Sequence, residues 1–215
     1  MDRQLEELIG ALLDAMNRSG NDSCGSAGIP VGVSNHHVHL SQKDMDTLFG
    51  PGYSLTKMKD LSQPGQFACR ETVTIVGPRG AIEHVRVLGP VRTQTQVEIL
   101  CGDGFKLGIS APLRMSGDLS GTPGITIVGP KGCVQAAGGL MIAQRHIHMR
   151  PEDASHFGVA NGDVVSIRVE GDRGGEISHV KIRVSEQSAL ECHVDTEEAN
   201  ALGLSAKSAI TIVKA

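Results

Sequence analysis

The first part of the chain carries apolar residues at the spacing of one helical face. They recur at i, i+3, i+4, i+7, i+8 and i+11, namely at Leu5, Leu8, Ile9, Leu12, Leu13 and Met16, which matches a helical period. The small polar sequence NRSGNDSCGSAG follows and is typical of a linker. We therefore predict an amphipathic helix and linker over residues 1–28. The helix either folds back on the core or docks on another protein, and its isolation on a tether favours docking.

From residue 29 onward the pattern changes to short runs that end at Gly, Pro or Asp. The strand-like runs are TVTIVG, IEHVRVLG, ITIVG, VVSIRVEG, HVKIRV and AITIVK. Three further segments, SQKDMDTLFG, PEDASHFG and TEEANALG, carry first-turn acids and a closing Gly, so they predict short helices. The predicted fold class is mainly β, with short α-helices.

The β region contains an internal repeat, which divides it into two similar halves. NHHVHLSQKDMDTLFG aligns with QRHIHMRPEDASHFGV, and a hairpin-like unit follows in each half. A strand-then-turn unit completes each half, as VRTQTQVEILCGDGFKLG and SEQSALECHVDTEEANALG. An ungapped alignment of these last units places Glu98 over His193. Each half therefore supplies a His-x-His pair and one further residue able to bind metal.

The repeat predicts two metal-binding triads. Residues i and i+2 of a strand point to the same face, so the two histidines of each pair project together. Three protein ligands with an open position are typical of catalytic zinc sites, and mixed N and O ligands also suit Fe, Co or Mn. The predicted ligands are His37, His39 and Glu98 in the first half, and His146, His148 and His193 in the second.

The remaining histidines do not fit this pattern. His36 falls on the opposite strand face and is predicted not to bind metal. We expect His84, His156 and His179 at the surface. One His-x-His pair alone is more often a surface or core feature, whereas two pairs at equivalent places of a repeat favour metal binding.

A candidate anion site lies next to the first triad. Arg92, Gln94, Gln96 and Glu98 alternate along one predicted strand and would share a face. An arginine beside a ligating carboxylate either clamps an anion with bidentate hydrogen bonds or only orients that carboxylate.

A second candidate binding element is the loop PLRMSGDLSGTPG, which carries Arg114, Met115 and Ser116. This loop could line a nucleotide or phosphate pocket, or be an ordinary loop. It lacks the G-K-[ST] ending of a P-loop.

Composition narrows the function classes. The 215-residue chain has a net charge of −4, 2% aromatic residues and no Trp. Neither a phosphate-backbone footprint nor stacking platforms are expected, so we predict no nucleic-acid partner. No apolar run reaches the roughly 18 residues that span a bilayer, so no membrane association is expected. The five scattered cysteines are expected to be reduced thiols.

Several ordered motifs resemble one known family. They are IPVGVSNHHVHLS, VLGPVRTQTQVEI, GISAPLRMSGDLSGTPG, AQRHIHMRPEDA and CHVDTEEAN, and they extend from about residue 29 to the C-terminus. Together they resemble the phosphate propanoyltransferases of bacterial microcompartments (PduL-type phosphotransacylases). The resemblance implies that coenzyme A is a substrate and that an acyl group passes between coenzyme A and phosphate: acyl-CoA + Pi ⇌ acyl phosphate + CoA.

The resemblance also implies a site and an architecture. The family's two-zinc ligands fall on the six residues of the triads, and its phosphate-binding arginine falls on Arg92. Its fold is two β-barrels capped by short helices, with the active site between them. The strand before the first His-x-His pair joins the second barrel, which implies domains at 36–143 and at 29–35 plus 144–215. The chain departs from the family pattern at His36, where relatives commonly carry Arg. The resemblance therefore does not extend to an anion contact at this position.

Location and partners follow from the same resemblance. Family members often carry an N-terminal encapsulation peptide, and residues 1 to about 20 look like one. The implied location is the lumen of a bacterial microcompartment, with shell or cargo proteins as partners of the helix. The tethered helix also allows self-association into a homo-oligomer.

The expected mechanism is direct attack of phosphate on the thioester, because no Ser-His or Cys-His pair is evident. An acyl-enzyme through Cys192 or Cys101 is the alternative. Two other function classes stay open, a dinuclear metal-dependent thioester hydrolase and a non-catalytic metal-binding assembly module. The acyl chain is not decided, since one methylene changes binding by only about 1–3 kcal/mol.

Overall fold

The computed structural model describes residues 28–213, which form two β-sheets with short helices. The strands are β1 (Ile29–Ser34), β2 (His37–Ser41), β3 (Lys57–Asp60), β4 (Phe67–Val76), β5 (Ala81–Arg92), β6 (Gln96–Ile99), β7 (Leu113–Arg114), β8 (Ile125–Val128), β9 (Cys133–Ala136), β10 (Leu140–Ala143), β11 (His146–Met149), β12 (Val164–Val169), β13 (Gly175–Val184), β14 (Glu191–Asp195) and β15 (Ala209–Val213). The helices are α1 (Gln42–Phe49), α2 (Cys101–Leu107), α3 (Pro151–Phe157) and α4 (Thr196–Leu202). The predicted N-terminal helix lies outside the described residues.

One sheet closes into a six-stranded barrel in the order β1-β14-β11-β13-β12-β15. The other has nine strands in the order β7-β10-β6-β2-β5-β4-β8-β9, with β3 paired to β4, and it curls without closing. The predicted mainly β fold with two barrel-like units and short helices is confirmed, except that only one unit closes. The first strand, β1, joins the closed barrel through parallel pairing with β14.

The short helices begin and end where the local sequence predicts. The Ser41 hydroxyl caps α1 by accepting the Asp44 N–H, and the Asp195 carboxylate caps α4 by accepting the Glu198 N–H. Gly203 ends α4 in the left-handed conformation, at a φ of 66°. These contacts are local, which is why the sequence pattern reveals them.

The repeat predicts only a turn where the structure has helix α2, whose sequence CGDGFKL contains two glycines. Each glycine disfavours a helix interior by roughly 1 kcal/mol. The Asp103 carboxylate accepts the Leu100 N–H at 3.0 Å and so holds the first turn. The Glu197 carboxylate, from the other half of the chain, accepts the Gly102 N–H at 2.9 Å. A tertiary contact therefore supports a helix that local propensity disfavours.

Each sheet encloses its own apolar core, built largely from Val, Ile and Leu. Leu40, Ile75 and Ile127 are fully buried in the first core, and Ile147 and Ile167 are fully buried in the barrel. Burying such a side chain contributes roughly 1.5–3 kcal/mol. Two separate cores leave the space between the sheets free for polar residues.

The repeat extends to irregular features of the backbone. His84 in β5 and His179 in β13 both have a positive φ, of 59° and 61°, and both lie where the ladder shifts register. Both side chains are exposed, as predicted, and so is that of His156. Among the described residues, no helix has the length and apolar character needed to cross a membrane.

Candidate active site between the two sheets

The first triad combines residues of β2 and β6. His37, His39 and Glu98 are buried, and their potential ligand atoms lie within 4.8 Å of one another. His37 and Glu98 are direct partners in the antiparallel β2–β6 ladder, with 3.4 Å between Nε2 and Oε2. The ring of His39 lies on the same strand face, with its centroid 5.2 Å from that of His37.

The second triad combines residues of β11 and β14. The potential ligand atoms of His146, His148 and His193 also lie within 4.8 Å of one another. His146 and His193 are direct partners in the antiparallel β11–β14 ladder, with ring centroids 5.1 Å apart. The Nε2 atoms of His146 and His148 are 3.1 Å apart.

Both triads have the same construction. In each, the first histidine of the His-x-His pair lies opposite the third residue across an antiparallel ladder. The Nδ1–H of His37 donates to the Asn35 carbonyl, and that of His146 donates to the Gln144 carbonyl, both at 2.8 Å. A carbonyl oxygen only accepts, so Nδ1 carries the proton and the Nε2 lone pair is left for the triad.

The donor sets fit a divalent metal ion such as zinc. Each triad offers three nitrogen or oxygen ligands of the kinds that zinc takes, and Nδ1 of the buried His39 makes no hydrogen bond among the described residues. Zinc–nitrogen bonds of about 2.0–2.1 Å in a tetrahedron place ligand atoms about 3.4 Å apart. The Nε2–Nε2 distance of 3.1 Å between His146 and His148 is close to this spacing.

Electrostatics favour the metal-binding forms of four triad side chains, those of His39, His146, His148 and Glu98, but not that of His37. Burial and neighbouring imidazoles lower the pKa of His39 and His148 to about 3, and that of His146 to about 4. Burial also opposes charge on His37, but the Glu98 carboxylate outweighs it and raises the pKa of His37. Burial opposes charge on Glu98 as well, yet the adjacent His37 holds the pKa of Glu98 well below its usual range. Neutral imidazoles and ionised carboxylates are the forms that bind metal.

Both triads line one cavity of about 440 Å³ between the sheets. Arg92, from the end of β5, and Arg183, from β13, line the same cavity. Burial lowers the pKa of both guanidiniums, and the Glu98 carboxylate counteracts this effect. Arg86 and Arg145 line the cavity as well, with Arg145 paired to a carboxylate and Arg86 donating to two backbone carbonyls. Because an arginine stays protonated in proteins, Arg92 and Arg183 present two further cationic groups beside the triads.

The sequence patterns did not identify Arg183. In the parallel pairings, Arg183 lies beside His148, whereas the equivalent position beside His39 is occupied by Leu88. The repeat therefore carried no signal for a second arginine. Only the pairing of β13 with β11 brings Arg183 into the cavity.

The prediction of one strand from Arg92 to Glu98 is wrong. Strand β5 ends at Arg92 and β6 begins at Gln96, with a turn between them. Arg92 and Glu98 still line the same cavity, because the turn folds the second strand back into the sheet. Gln94 lies in the turn, is exposed, and lines a separate depression with Lys43.

Ser116 is the member of the candidate loop that reaches the cavity. Its hydroxyl accepts Arg92 Nη1–H at 3.2 Å and Gln96 Nε2–H at 2.9 Å. Arg114 instead donates to two carbonyls of its own loop. Of these loop residues, Ser116 lines the cavity while Arg114 and Met115 do not.

A loop of the first sheet reaches across the cavity to the barrel. The Gln63 amide donates to the Ala189 carbonyl at 3.0 Å and accepts the Ala189 N–H at 3.2 Å. The Ser62 hydroxyl donates to the Glu191 carboxylate, which also contacts Nε2 of His193. This loop therefore joins one wall of the cavity to the second triad.

The two cysteines considered as nucleophiles lie outside the cavity lining. Cys192 is packed in the barrel core, and burial raises its pKa to about 12. Cys101 is exposed at the first position of α2. Neither combines access to the cavity with an activated thiolate.

Fold and site together define a mainly β protein whose two sheets enclose an arginine-containing cavity with two metal-competent triads. A family model described as phosphate propanoyltransferase matches residues 30–205. A phosphate propanoyltransferase of Rhodobacter capsulatus is 53% identical over 214 residues, which cover 100% of this chain and 97% of that protein. The Thermotoga maritima relative of the same name is 59% identical over 188 residues, covering 87% and 90%. One from Salmonella typhimurium is 51% identical over 193 residues, covering 89% and 91%.

The chain belongs to the phosphate propanoyltransferase family, as the sequence motifs indicated. It is accordingly an enzyme, and its class is the transferases.

Proposed function

We propose that the protein transfers an acyl group, propanoyl or acetyl, between coenzyme A and inorganic phosphate: acyl-CoA + Pi ⇌ acyl phosphate + CoA. The observation that carries this proposal is that both triads line one cavity together with arginines, among them Arg92 and Arg183. Such a cavity can hold an anionic nucleophile next to an activated carbonyl. The name shared by the three relatives supports the same reaction.

The proposal assigns two Zn²⁺ ions to each chain. One triad and one metal ion belong together in each half: His37, His39 and Glu98 in the first, and His146, His148 and His193 in the second. Bound zinc would polarise a carbonyl or phosphoryl oxygen as a Lewis acid. The lowered pKa values of His39 and His146, which favour neutral imidazoles, support this assignment.

Arg92 and Arg183 bind the phosphate in this proposal. Each guanidinium offers a planar fork of donors that suits bidentate hydrogen bonds to phosphate oxygens. The Ser116 hydroxyl, at 3.2 Å from Nη1 of Arg92, orients that side chain. Fixed donors replace part of the water shell of phosphate, a nucleophile that strong hydration otherwise weakens.

The acyl group moves to phosphate in one direct transfer. A phosphate oxygen forms the bond to the thioester carbonyl carbon, and the C–S bond breaks with its electron pair on the CoA sulfur. The proton of hydrogen phosphate ends on that sulfur, so the reaction is balanced. Two substrates held side by side supply much of the rate. The positions of Cys101 and Cys192 outside the cavity lining support transfer without an acyl-enzyme.

A thiol-release assay tests this function. Acetyl-CoA and propanoyl-CoA are supplied with and without phosphate, to metal-loaded and to chelated protein. We expect thiol release that needs both metal and phosphate, with one acyl phosphate formed per thiol. Release of free acid without phosphate would indicate a metal-dependent thioester hydrolase. No turnover with metal fully loaded would indicate a non-catalytic assembly module.

We also propose domains at 36–143 and at 29–35 plus 144–215, which the pairing of β1 with β14 supports.

Residues 1–28 would bind microcompartment shell or cargo proteins and so direct the enzyme to the lumen. The Rhodobacter capsulatus relative aligns with 100% of this chain, so this segment has a counterpart there. Deletion of residues 1–20 should leave turnover intact and abolish encapsulation. Mass in solution before and after deletion tests its part in a homo-oligomer.

A further inference from the structure

His36 and Arg145 occupy equivalent positions of the internal repeat. Each directly precedes the first histidine of a His-x-His pair. Nδ1 of His36 lies 3.1 Å from Oδ2 of Asp103, and Nη1 of Arg145 lies 2.6 Å from Oε1 of Glu198. Each acid comes five residues after the third member of its own triad. The same contact therefore occurs twice, with a different pair of residue types.

Both acids also hold the start of a helix. Asp103 accepts the Leu100 N–H at 3.0 Å, at the start of α2. Glu198 accepts the Asp195 N–H at 3.1 Å, at the start of α4. Each helix directly follows the strand that carries the third triad residue. One carboxylate in each half thus connects the helix start to the residue that precedes the His-x-His pair.

The two contacts lie just beyond the triads. In the β2–β6 ladder, the pairing ends at His37 and Glu98, and the contact of His36 with Asp103 comes next along the chain. In the β11–β14 ladder, the pairing of His146 with His193 stands at the same place. Ladder ends separate most easily, and in each triad two ligands lie on that terminal pair.

We propose that His36 and Arg145 are positioning residues, each of which fixes the spacing of the ligand pair beside it through the helix-cap acid. His36 acts on the first triad and Arg145 on the second. This inference rests on the proposed function, because it assumes that the triads bind metal. It accounts for His36, which is half-buried and lines the cavity but belongs to neither triad. Contacts that orient metal ligands typically change metal affinity by about 10- to 100-fold.

A double-mutant cycle on the full chain tests the first pair. Zinc affinity is measured by competition with a chromophoric chelator for the wild type, His36→Ala, Asp103→Ala and the double variant. We expect each single change to weaken one of two zinc equivalents by about 10- to 100-fold, and the double change to weaken it no further. The single variant Asp103→Ala and the double variant both lose the hydrogen bond from the Leu100 N–H. The effect of that loss on zinc affinity therefore cancels when the cycle compares them.

A rescue variant and a control complete the experiment. His36→Arg gives the first half the residue type found at Arg145, and we expect zinc binding as in the wild type. His156→Ala changes an exposed histidine of α3 and should leave both equivalents unchanged. Arg145→Ala should weaken the other zinc equivalent, and combining it with His36→Ala should weaken both.

The outcomes separate this inference from the proposed function. Unchanged zinc affinity in His36→Ala, or additive losses in the double variant, would overturn the positioning role and leave the two-metal function intact. Wild-type protein that binds no zinc would refute the two-metal function, and the positioning role with it.

Discussion

His37 and Glu98 face each other across the β2–β6 ladder, with 3.4 Å between Nε2 and Oε2. The equivalent pair in the other half is His146 with His193, so one triad contains a carboxylate and the other contains imidazoles alone. The pKa of Glu98 is lowered, so its triad carries a negative charge that the second triad lacks. Two metal ions in one cavity would therefore differ in the charge of their own ligands, while the Glu191 carboxylate lies outside the second triad, against Nε2 of His193.

Replacing Glu98 with Gln tests this asymmetry. The amide keeps the shape of the side chain but removes the charge that a cation needs, so we expect one zinc equivalent to be lost. We also expect kcat to fall by about 100-fold or more. The zinc ion of the second triad would remain, but the reaction would lack the zinc ion of the first triad. Zinc content and turnover are the measurements. Glu83→Gln, at an exposed position of β5, is the control and should change neither.

Arg92→Ala and Arg183→Ala should each raise the KM for phosphate and lower kcat. Removing a bidentate donor from a phosphate site weakens both ground-state and transition-state binding, and we expect kcat/KM for phosphate to fall by roughly 100-fold. The KM for acyl-CoA should change less. Arg168→Ala removes an exposed ion pair with Glu176 and serves as the control. Phosphate kinetics unchanged in both cavity variants would contradict the anion site.

Cys192→Ser and Cys101→Ser should retain turnover, because direct transfer needs no thiol. The buried serine in Cys192→Ser should cost about 1–3 kcal/mol in the free energy of unfolding. Burial raises the pKa of Cys69 to about 11 and that of Cys192 to about 12. In the folded protein, iodoacetamide should therefore label the exposed Cys101 and Cys133 and spare these two. Loss of turnover in either serine variant, with the fold intact, would revive the acyl-enzyme route.

Gln63→Leu should loosen the contact between the two sheets. The change leaves the N–H and C=O of Ala189 without the partners they have now, which costs about 1–3 kcal/mol in the free energy of unfolding. Because the same loop walls the cavity, we also expect a higher KM for acyl-CoA. Urea unfolding and steady-state kinetics are the measurements. Gln187→Leu, at an exposed position, is the matched control. Equal stability of the two variants would refute the role of Gln63.

The metal-free protein should lose stability as the pH falls. The pKa values of His39 and His148 are lowered to about 3 and that of His146 to about 4, below the usual value of about 6.5. The unfolded chain therefore binds more protons in acid than the folded one. The free energy of unfolding is therefore unaffected by these histidines above their unfolded pKa of about 6.5. It decreases as the pH falls from there towards the lower pKa values of the folded state.

Melting temperatures of the chelated protein from about pH 7.5 to 4 measure this loss. His148→Gln cannot gain the proton at that position, so its profile should be flatter than that of the wild type. Identical profiles for the two proteins would count against a neutral, half-buried His148.

Much of the candidate site could be predicted because its signals are local or repeated. Alternation along a strand is enough to place His37 with His39, and His146 with His148, on common faces. The repeat then singled out Glu98 through its match with the third residue of the other half. The structure brings each predicted triad within 4.8 Å.

Other features could not be predicted because long-range pairing produces them. Arg183 enters the cavity through parallel pairing of β13 with β11, and no pattern marks it as different from other strand residues. The separation of Arg92 from Gln94 depends on a turn that an alternating pattern hides. Helix α2 depends on Glu197, which contacts Gly102 from the other half of the chain.

Patterns along the chain are enough to predict the mainly β class, the capped helices and the two sets of metal-competent residues. Strand alternation, helix capping and repetition involve neighbours along the chain, so they can be recognised in one dimension. Tertiary packing is needed to bring both sets to one cavity, to place Arg92 and Arg183 beside them, and to close one barrel while the other sheet stays open. These relationships depend on which distant strands pair, and that choice follows from the packing of both cores together.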